Sequence, residues 1–158
     1  MPSSIRRRVP APDAGLREAV PIALADIARC LQGEIPSILA TCSADGEPNL
    51  VHLSQVLIVD ADHVAISNQF LDKSARNLTA NPVATLLCPD PVTGVSFKLL
   101  ARYERSEQEG TRFEAARAQL DAIAALSGME DVFALRSIDV FRVLDTSEVP
   151  TKDRASSA

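Results

Sequence analysis

Between residues 37 and 105 five apolar runs follow one another: SILATC (37–42), NLVHLSQVLIV (49–59), HVAIS (63–67), VATLLC (83–88) and VSFKLLARYER (95–105). They are rich in Val, Ile and Leu and are bounded by turn residues, so they read as strands. The first three are joined by very short links. Ser43-Ala44-Asp45-Gly46-Glu47-Pro48 carries an Asp-Gly turn signal, and Asp60-Ala61-Asp62 makes the second reversal. Strands joined this tightly run antiparallel, and a three-stranded meander is the expected opening of the sheet. A sixth strand is expected near Ile138 to Leu144. Six strands in mostly antiparallel order, with few helices, suggest a small closed barrel.

Face patterns refine this. In the fifth run Val95, Phe97, Leu99, Ala101 and Tyr103 share one face, against Ser96, Lys98, Arg102 and Glu104, so that strand is half buried. In the long second run Val51, Leu53, Leu57 and Val59 form an apolar face interrupted by Gln55, and the other face carries His52 and Ser54. Before the strands, Ile22, Leu24, Ile27 and Leu31 recur at helical spacing from Pro21, and Gly33 stops the helix. After them Thr111 and Glu114 read as a capping box for a helix with Phe113, Ala116, Leu120 and Ile123 on one side, ended by Gly128.

The 158 residues suit one domain, with a core from about 20 to 149 and flexible tails at 1–15 and 150–158. With 46% apolar residues but no Trp and one Tyr, the core must be aliphatic. A net charge of −5 argues against nucleic acid as the main partner. No apolar run reaches the ~18 residues that a membrane helix needs, and no signal-peptide core follows Arg6-Arg7-Arg8. Cys30, Cys42 and Cys88 are odd in number and widely spaced, so neither a disulfide framework nor a zinc site is expected, and a reducing cytoplasm fits. Cys42 and Cys88, flanked by apolar strand residues, read as buried, inert thiols. Asp60 and Asp62 read as turn formers, and His63 as an exposed residue after the turn. No acid/base pair or nucleophile with its base is evident, so no catalytic residue is assigned.

One segment is not explained by the strands. NQFLDKSARNLTANP (68–82) places a short polar helix between the third and fourth runs, with Asp72 as its cap and Asn81-Pro82 at its end. Lys73, Arg76 and Asn77 share one face. The free N–H groups of the first turn, a Lys and the Ser74 hydroxyl together make an anion site. The competing reading is a solvated connector whose cations simply face water.

The order strand, turn, strand, short helix, Asn-Pro, strand resembles the pyridoxamine 5′-phosphate oxidase-like family, the FMN-binding split barrels. The resemblance spans roughly Ile35 to Val143 and rests on DGEPNLVHLSQV (45–56), AISNQFLDKSARNLTANPVATLL (65–87) and VSFKLLARYERSE (95–107) followed by an amphipathic helix. It is strongest toward a branch of domains attached to signalling or regulatory modules. It implies a six-stranded antiparallel split barrel, a homodimer and FMN in the subunit groove. By resemblance the FMN phosphate falls to Lys73 and Ser74. The ring edge and ribityl chain run along His52 to Leu57, including Ser54, Gln55 and Val56. Ser67 and Asn68 add hydroxyl or amide contacts. His52, Gln55, Gln69 and Lys98 are the polar candidates to face the ring, and a partner subunit would supply Lys98.

Two departures follow. Family oxidases carry Arg where this chain has His52 and Lys near Leu57, so a phosphate meets fewer counter-charges here. No counterpart of the Arg-His set that holds pyridoxal phosphate stands near the C-terminus, which argues against that oxidase activity. A flavin-dependent oxidoreductase on a small substrate is one expectation. A ligand- or redox-sensing module without turnover is the other, binding FMN, haem with His52 as an axial candidate, or no cofactor.

Overall fold

The computed structural model describes residues 21–128, 132 and 134–150. The expected tails, 1–15 and 150–158, lie outside the described residues except for Pro150. Seven strands form one antiparallel sheet: β1 (Ser37–Cys42), β2 (Pro48–Leu53), β3 (Val56–Ile58), β4 (His63–Asn68), β5 (Val83–Pro89), β6 (Ser96–Glu107) and β7 (Ser137–Glu148). Their spatial order is β2-β1-β5-β6-β7-β4-β3. Helix α1 (Asp72–Ala80) follows β4, and α2 (Thr111–Ser127) joins β6 to β7.

The second run, expected as one strand, is two. Leu53 ends β2 and Val56 begins β3, with Ser54-Gln55 between them. β2 pairs only with β1 and β3 only with β4, at opposite edges of the sheet. The meander therefore exists in chain order but not in pairing. This break also accounts for the seventh strand. It shows in the burial phase, because Leu53 and Val56 are both buried although an unbroken strand would turn them to opposite faces.

The link forces the sheet to close. Laid flat, seven strands would hold the edge strands about 29 Å apart. Leu53 and Val56 are three residues apart and span at most about 11 Å. The sheet must curl until its edges meet, and since no ladder joins β2 to β3 the result is a half-closed, split barrel. Gly33 seats the link. Its φ is +84°, and a Cβ there would fall 1.6 Å from the Ser54 carbonyl oxygen, so no side chain fits.

Inside the curl, Leu39, Val64, Ile66, Leu86, Leu99 and Phe141 are fully buried. The N-terminal helix, a kinked 3-10 helix over Leu24–Leu31 rather than an α-helix from Pro21, adds Leu24, Ile27, Cys30 and Leu31 to this core. A second cluster, Ala65, Phe113, Ile138 and Val140, lies on the outer face beneath α2. β7 is buried on both faces from Ser137 to Phe141 because the barrel core covers one side and α2 the other. The half-buried reading of β6 holds: Leu99 and Ala101 are buried, Lys98 and Arg102 exposed.

Two cap assignments do not hold. Gly110, not Thr111, precedes α2, and no side chain caps it, so Thr111 and Glu114 form no capping box. Leu71 precedes α1, while Asp72 is its first residue and pairs with Arg136 instead of the helix N–H groups. Among the described residues no helix is long and apolar enough to cross a membrane.

Candidate functional site

The Ser54-Gln55 link, the end of β4 and the turn into α1 enclose a trough. One part, about 220 Å³, is lined by His52, Ser54, Gln55, Ser67, Gln69 and Phe70 among others. A second part, about 270 Å³, continues past Ser54, Gln55, Ser67 and Gln69 to the side of α2, where Ala116, Gln119 and Leu120 form the wall. Gln119 Nε2 reaches Gln55 Oε1 at 3.4 Å and ties α2 to the link. Among the described residues the side chains of His52, Ser54, Ser67 and Gln69 have no hydrogen-bond partner. Phe70 is 62% exposed at the rim. The trough is thus a set of unspent neutral donors and acceptors with one imidazole and one aromatic ring. Such a lining suits the edge of an uncharged heteroaromatic ligand better than an anion.

Sequence-expected residues fall into four groups. His52, Ser54, Gln55, Ser67 and Gln69 come together in the trough. Val56 is buried in the core and lines no part of the trough. Asn68 is also buried, with its amide turned inward: Nδ2 donates to Asp139 Oδ2 at 3.1 Å and Oδ1 accepts the Leu71 N–H at 3.4 Å. Lys98 stands exposed on β6, between Leu87 and Ser147 in the sheet, and lines no part of this trough.

Lys73 and Ser74 lie at the start of α1, and both already have partners. Lys73 Nζ meets Glu47 Oε1 at 2.6 Å, and this pair holds the Glu47 carboxyl below its ordinary value. Ser74, 1% exposed, accepts from Asn49 Nδ2 at 3.0 Å. One turn on, buried Asn77 donates to Thr41 Oγ1 at 3.1 Å. The polar face of α1 therefore bolts the helix to β1, β2 and their hairpin. The Lys73 ammonium is the exchangeable part, since its pair is exposed and such pairs are worth about 0–1 kcal/mol.

Sequence reasoning missed Phe70, Gln119 and the role of Gly33. Phe70 carried a signal, an aromatic residue in a polar turn. Gln119 carried none, because only the packing of α2 brings it to Gln55.

His63 is half-buried rather than exposed, with Nδ1 2.8 Å from Asp60 and Nε2 3.3 Å from Glu104. Asp60 is a turn former as expected, accepting the Asp62 N–H at 2.9 Å. Among the described residues no three His, Cys, Asp or Glu side chains are grouped to hold a metal. The Cys88 thiol is pushed up to about 11, foremost by burial, and is inert, whereas Cys42 is only half-buried.

The architecture has close counterparts. An FMN-binding protein from Syntrophomonas wolfei superposes with a TM-score of 0.66 at 20% identity, covering 81% of this chain and 87% of that one. An FAD-binding protein from Mesorhizobium loti gives 0.55 at 17% identity, covering 82% and 96%. The haem storage protein HutZ from Vibrio cholerae gives 0.51 at 18%, covering 77% and 88%. At these identities the likeness is one of fold. No curated protein matches by sequence. The sequence profile described as pyridoxamine 5′-phosphate oxidase matches residues 24–145, more than half of the chain. With the split seven-stranded sheet and the bolted α1 in place, the chain belongs to the pyridoxamine 5′-phosphate oxidase-like family of FMN-binding split barrels.

Proposed function

We propose that the protein binds FMN in the trough and acts as a flavin-dependent oxidoreductase on a small substrate in the cytoplasm. The observation that carries this reading is the convergence of His52, Ser54, Ser67 and Gln69, all unpartnered among the described residues, around the Ser54-Gln55 link. A flavin held there would supply the electron or hydride transfer that the side chains do not. Ser54, Gln55, Ser67 and Gln69 would orient the ring edge through amide and hydroxyl contacts. Among the described residues that line the trough, His52 is the one whose side chain can carry positive charge beside it, and Phe70 offers a face for stacking. Toward α1, Lys73 would exchange Glu47 for the cofactor phosphate. A second copy of the chain would complete the groove, with Lys98 of that copy reaching the ligand.

A second reading, a ligand- or redox-sensing module without turnover, draws support from the same lining, where among the described residues no carboxylate or thiol stands to act as acid or base beside a substrate. The fold it shares with a haem storage protein keeps haem, with His52 as axial ligand, within this second reading.

The test is uptake. Purified protein incubated with FMN and desalted should stay yellow, with riboflavin held about tenfold more weakly for want of the phosphate contact. Protein that retains no flavin sinks the flavin version of both readings, and a haem titration then decides the second.

A further inference from the structure

Asp139 is a carboxylate 3% exposed, with no cationic partner among the described residues. A buried carboxylate without a cation is costly unless its lone pairs are filled by donors. Here three neutral groups fill them. Ser106 Oγ donates to Oδ1 at 2.6 Å, Ser137 Oγ donates to the same oxygen at 2.8 Å, and Asn68 Nδ2 donates to Oδ2 at 3.1 Å. Ser106 gets there through an irregularity in the β6–β7 ladder. The register slips between Tyr103 and Arg105, which leaves Ser106 opposite Asp139, and Tyr103 Oη backs Ser106 at 2.8 Å.

The arrangement has a direction. Asp139 Oδ2 accepts from Asn68 Nδ2, and this contact sets which end of the amide faces it. That leaves Asn68 Oδ1 facing the N–H of Leu71, the residue just before α1. The Asn68 carbonyl is fixed too, by the Arg136 N–H at 2.8 Å. Asn68 lies between Ser67 and Gln69, two trough residues, and five positions before Lys73. One buried carboxylate thus fixes which way one amide points, and that amide holds both the trough wall and the first turn of α1.

We propose that Asp139 is a positioning residue for the cofactor site, acting through Asn68 to set the start of α1 and so the phosphate end of the trough. This rests on the flavin reading given above, but its first consequence is visible without flavin.

The test is a swap. Asp139→Asn leaves one acceptor oxygen where the carboxylate had two: with Nδ2 toward Asn68 two donors meet, and with Oδ1 toward Asn68 the Ser106 and Ser137 hydroxyls must turn from donating to accepting. If Asn68 flips to meet the new donor, the clash moves to the Leu71 N–H. The double variant Asn68→Asp/Asp139→Asn restores every pair, since a carboxylate at 68 accepts from both the new amide and Leu71. Two readouts are taken on the full chain: amide hydrogen exchange at Leu71 to Ala75, and fluorescence titration with FMN and with riboflavin. Asp139→Asn should speed exchange in that turn about tenfold or more and weaken FMN about tenfold, with riboflavin changed less than threefold. The double variant should return both readouts to near wild type. Asp139→Leu, which leaves Asn68 Nδ2 no acceptor at 139, should speed exchange at least as much; unchanged exchange in both Asp139→Asn and Asp139→Leu, or a double variant no better than a perturbed Asp139→Asn, overturns the proposal, because a carboxylate needed only for bulk stability would not be rescued by the swap. Equal losses for FMN and riboflavin overturn the link to the phosphate end. Wild-type protein that binds neither flavin removes the flavin reading alone, and the exchange data then decide whether Asp139 positions α1.

Discussion

Lys73 and Glu47 decide how strongly the start of α1 can attract an anion. Their contact is short, 2.6 Å, but both side chains are exposed, 44% and 68%, so water screens it. A phosphate with nearly two charges competes well for the same ammonium. Glu47→Gln should therefore tighten FMN by about two- to fivefold, the factor that an exposed pair of this kind amounts to. Lys73→Ala should weaken FMN about tenfold or more. Riboflavin should barely respond to either change, and flavin fluorescence titration of the four combinations checks it. An FMN affinity untouched by both would leave Lys73 a tie to the hairpin and nothing more. Five of the trough's lining residues were legible in the sequence, because polar groups on a strand and its flanking turn stand out against apolar neighbours. Ser74 and Asn68 were legible as polar but not as buried: nothing in a sequence says that a serine's partner is Asn49 rather than a ligand.

At the scale of elements, the 3-10 helix is fastened to the barrel by one polar clasp. Arg29 reaches buried Asp90 at the end of β5 through Nε at 2.9 Å and an Nη at 2.5 Å, and the other Asp90 oxygen accepts the Val92 and Thr93 N–H groups. The Arg29 guanidinium, ahead of these N–H groups, lowers the Asp90 carboxyl to about 2 from an ordinary 3.8. A folded value below the unfolded one means that the stabilisation is complete above the ordinary value and is lost as pH falls through the folded value. Asp90→Asn should be less stable than wild type at pH 7, and the gap should close between about pH 4 and pH 2. Urea unfolding across that range measures it, and a gap independent of pH would mean the carboxylate contributes by shape alone. The strands and both α-helices could be read from alternation, spacing and turn residues. The caps could not: Thr111 with Glu114, and Asp72, have the right residue types, but Gly110 and Leu71 take the cap positions and Arg136 claims Asp72. Likewise the break in the second strand hid in plain view at Gln55, an interruption that reads equally as one polar residue on an apolar face.

At the scale of the whole molecule, apolar side chains remain on the outside of the curl. Leu50 on β2 is 67% exposed and Leu144 on β7 48%, and Leu100 on β6 is partly bare as well. A second copy covering strands of this kind should bury roughly 2,000 Å² or more, the obligate range, with two-fold symmetry. Light scattering at micromolar concentration should give twice the mass of the chain, and a monomer there would remove Lys98 from the groove. The family fold was legible from the order of segments, and the pairing was not. Antiparallel neighbours in sequence are normally neighbours in space, and the two hairpins β1–β2 and β3–β4 break that habit by standing at opposite margins of one sheet.

The two-residue bridge between those margins makes the molecule intolerant of length changes in one place and indifferent elsewhere. A residue added to the Pro91–Gly94 turn can bulge into water. A residue added at Ser54-Gln55 has no such freedom, because Gly33 presses on the bridge from behind. The extra length would have to be taken up by sliding β2 along β1 or β3 along β4, and a slide of one position exchanges the inner and outer faces of the strand that moves. The bridge is a ruler: it holds the two margins in step, and the trough is built on the ruler itself.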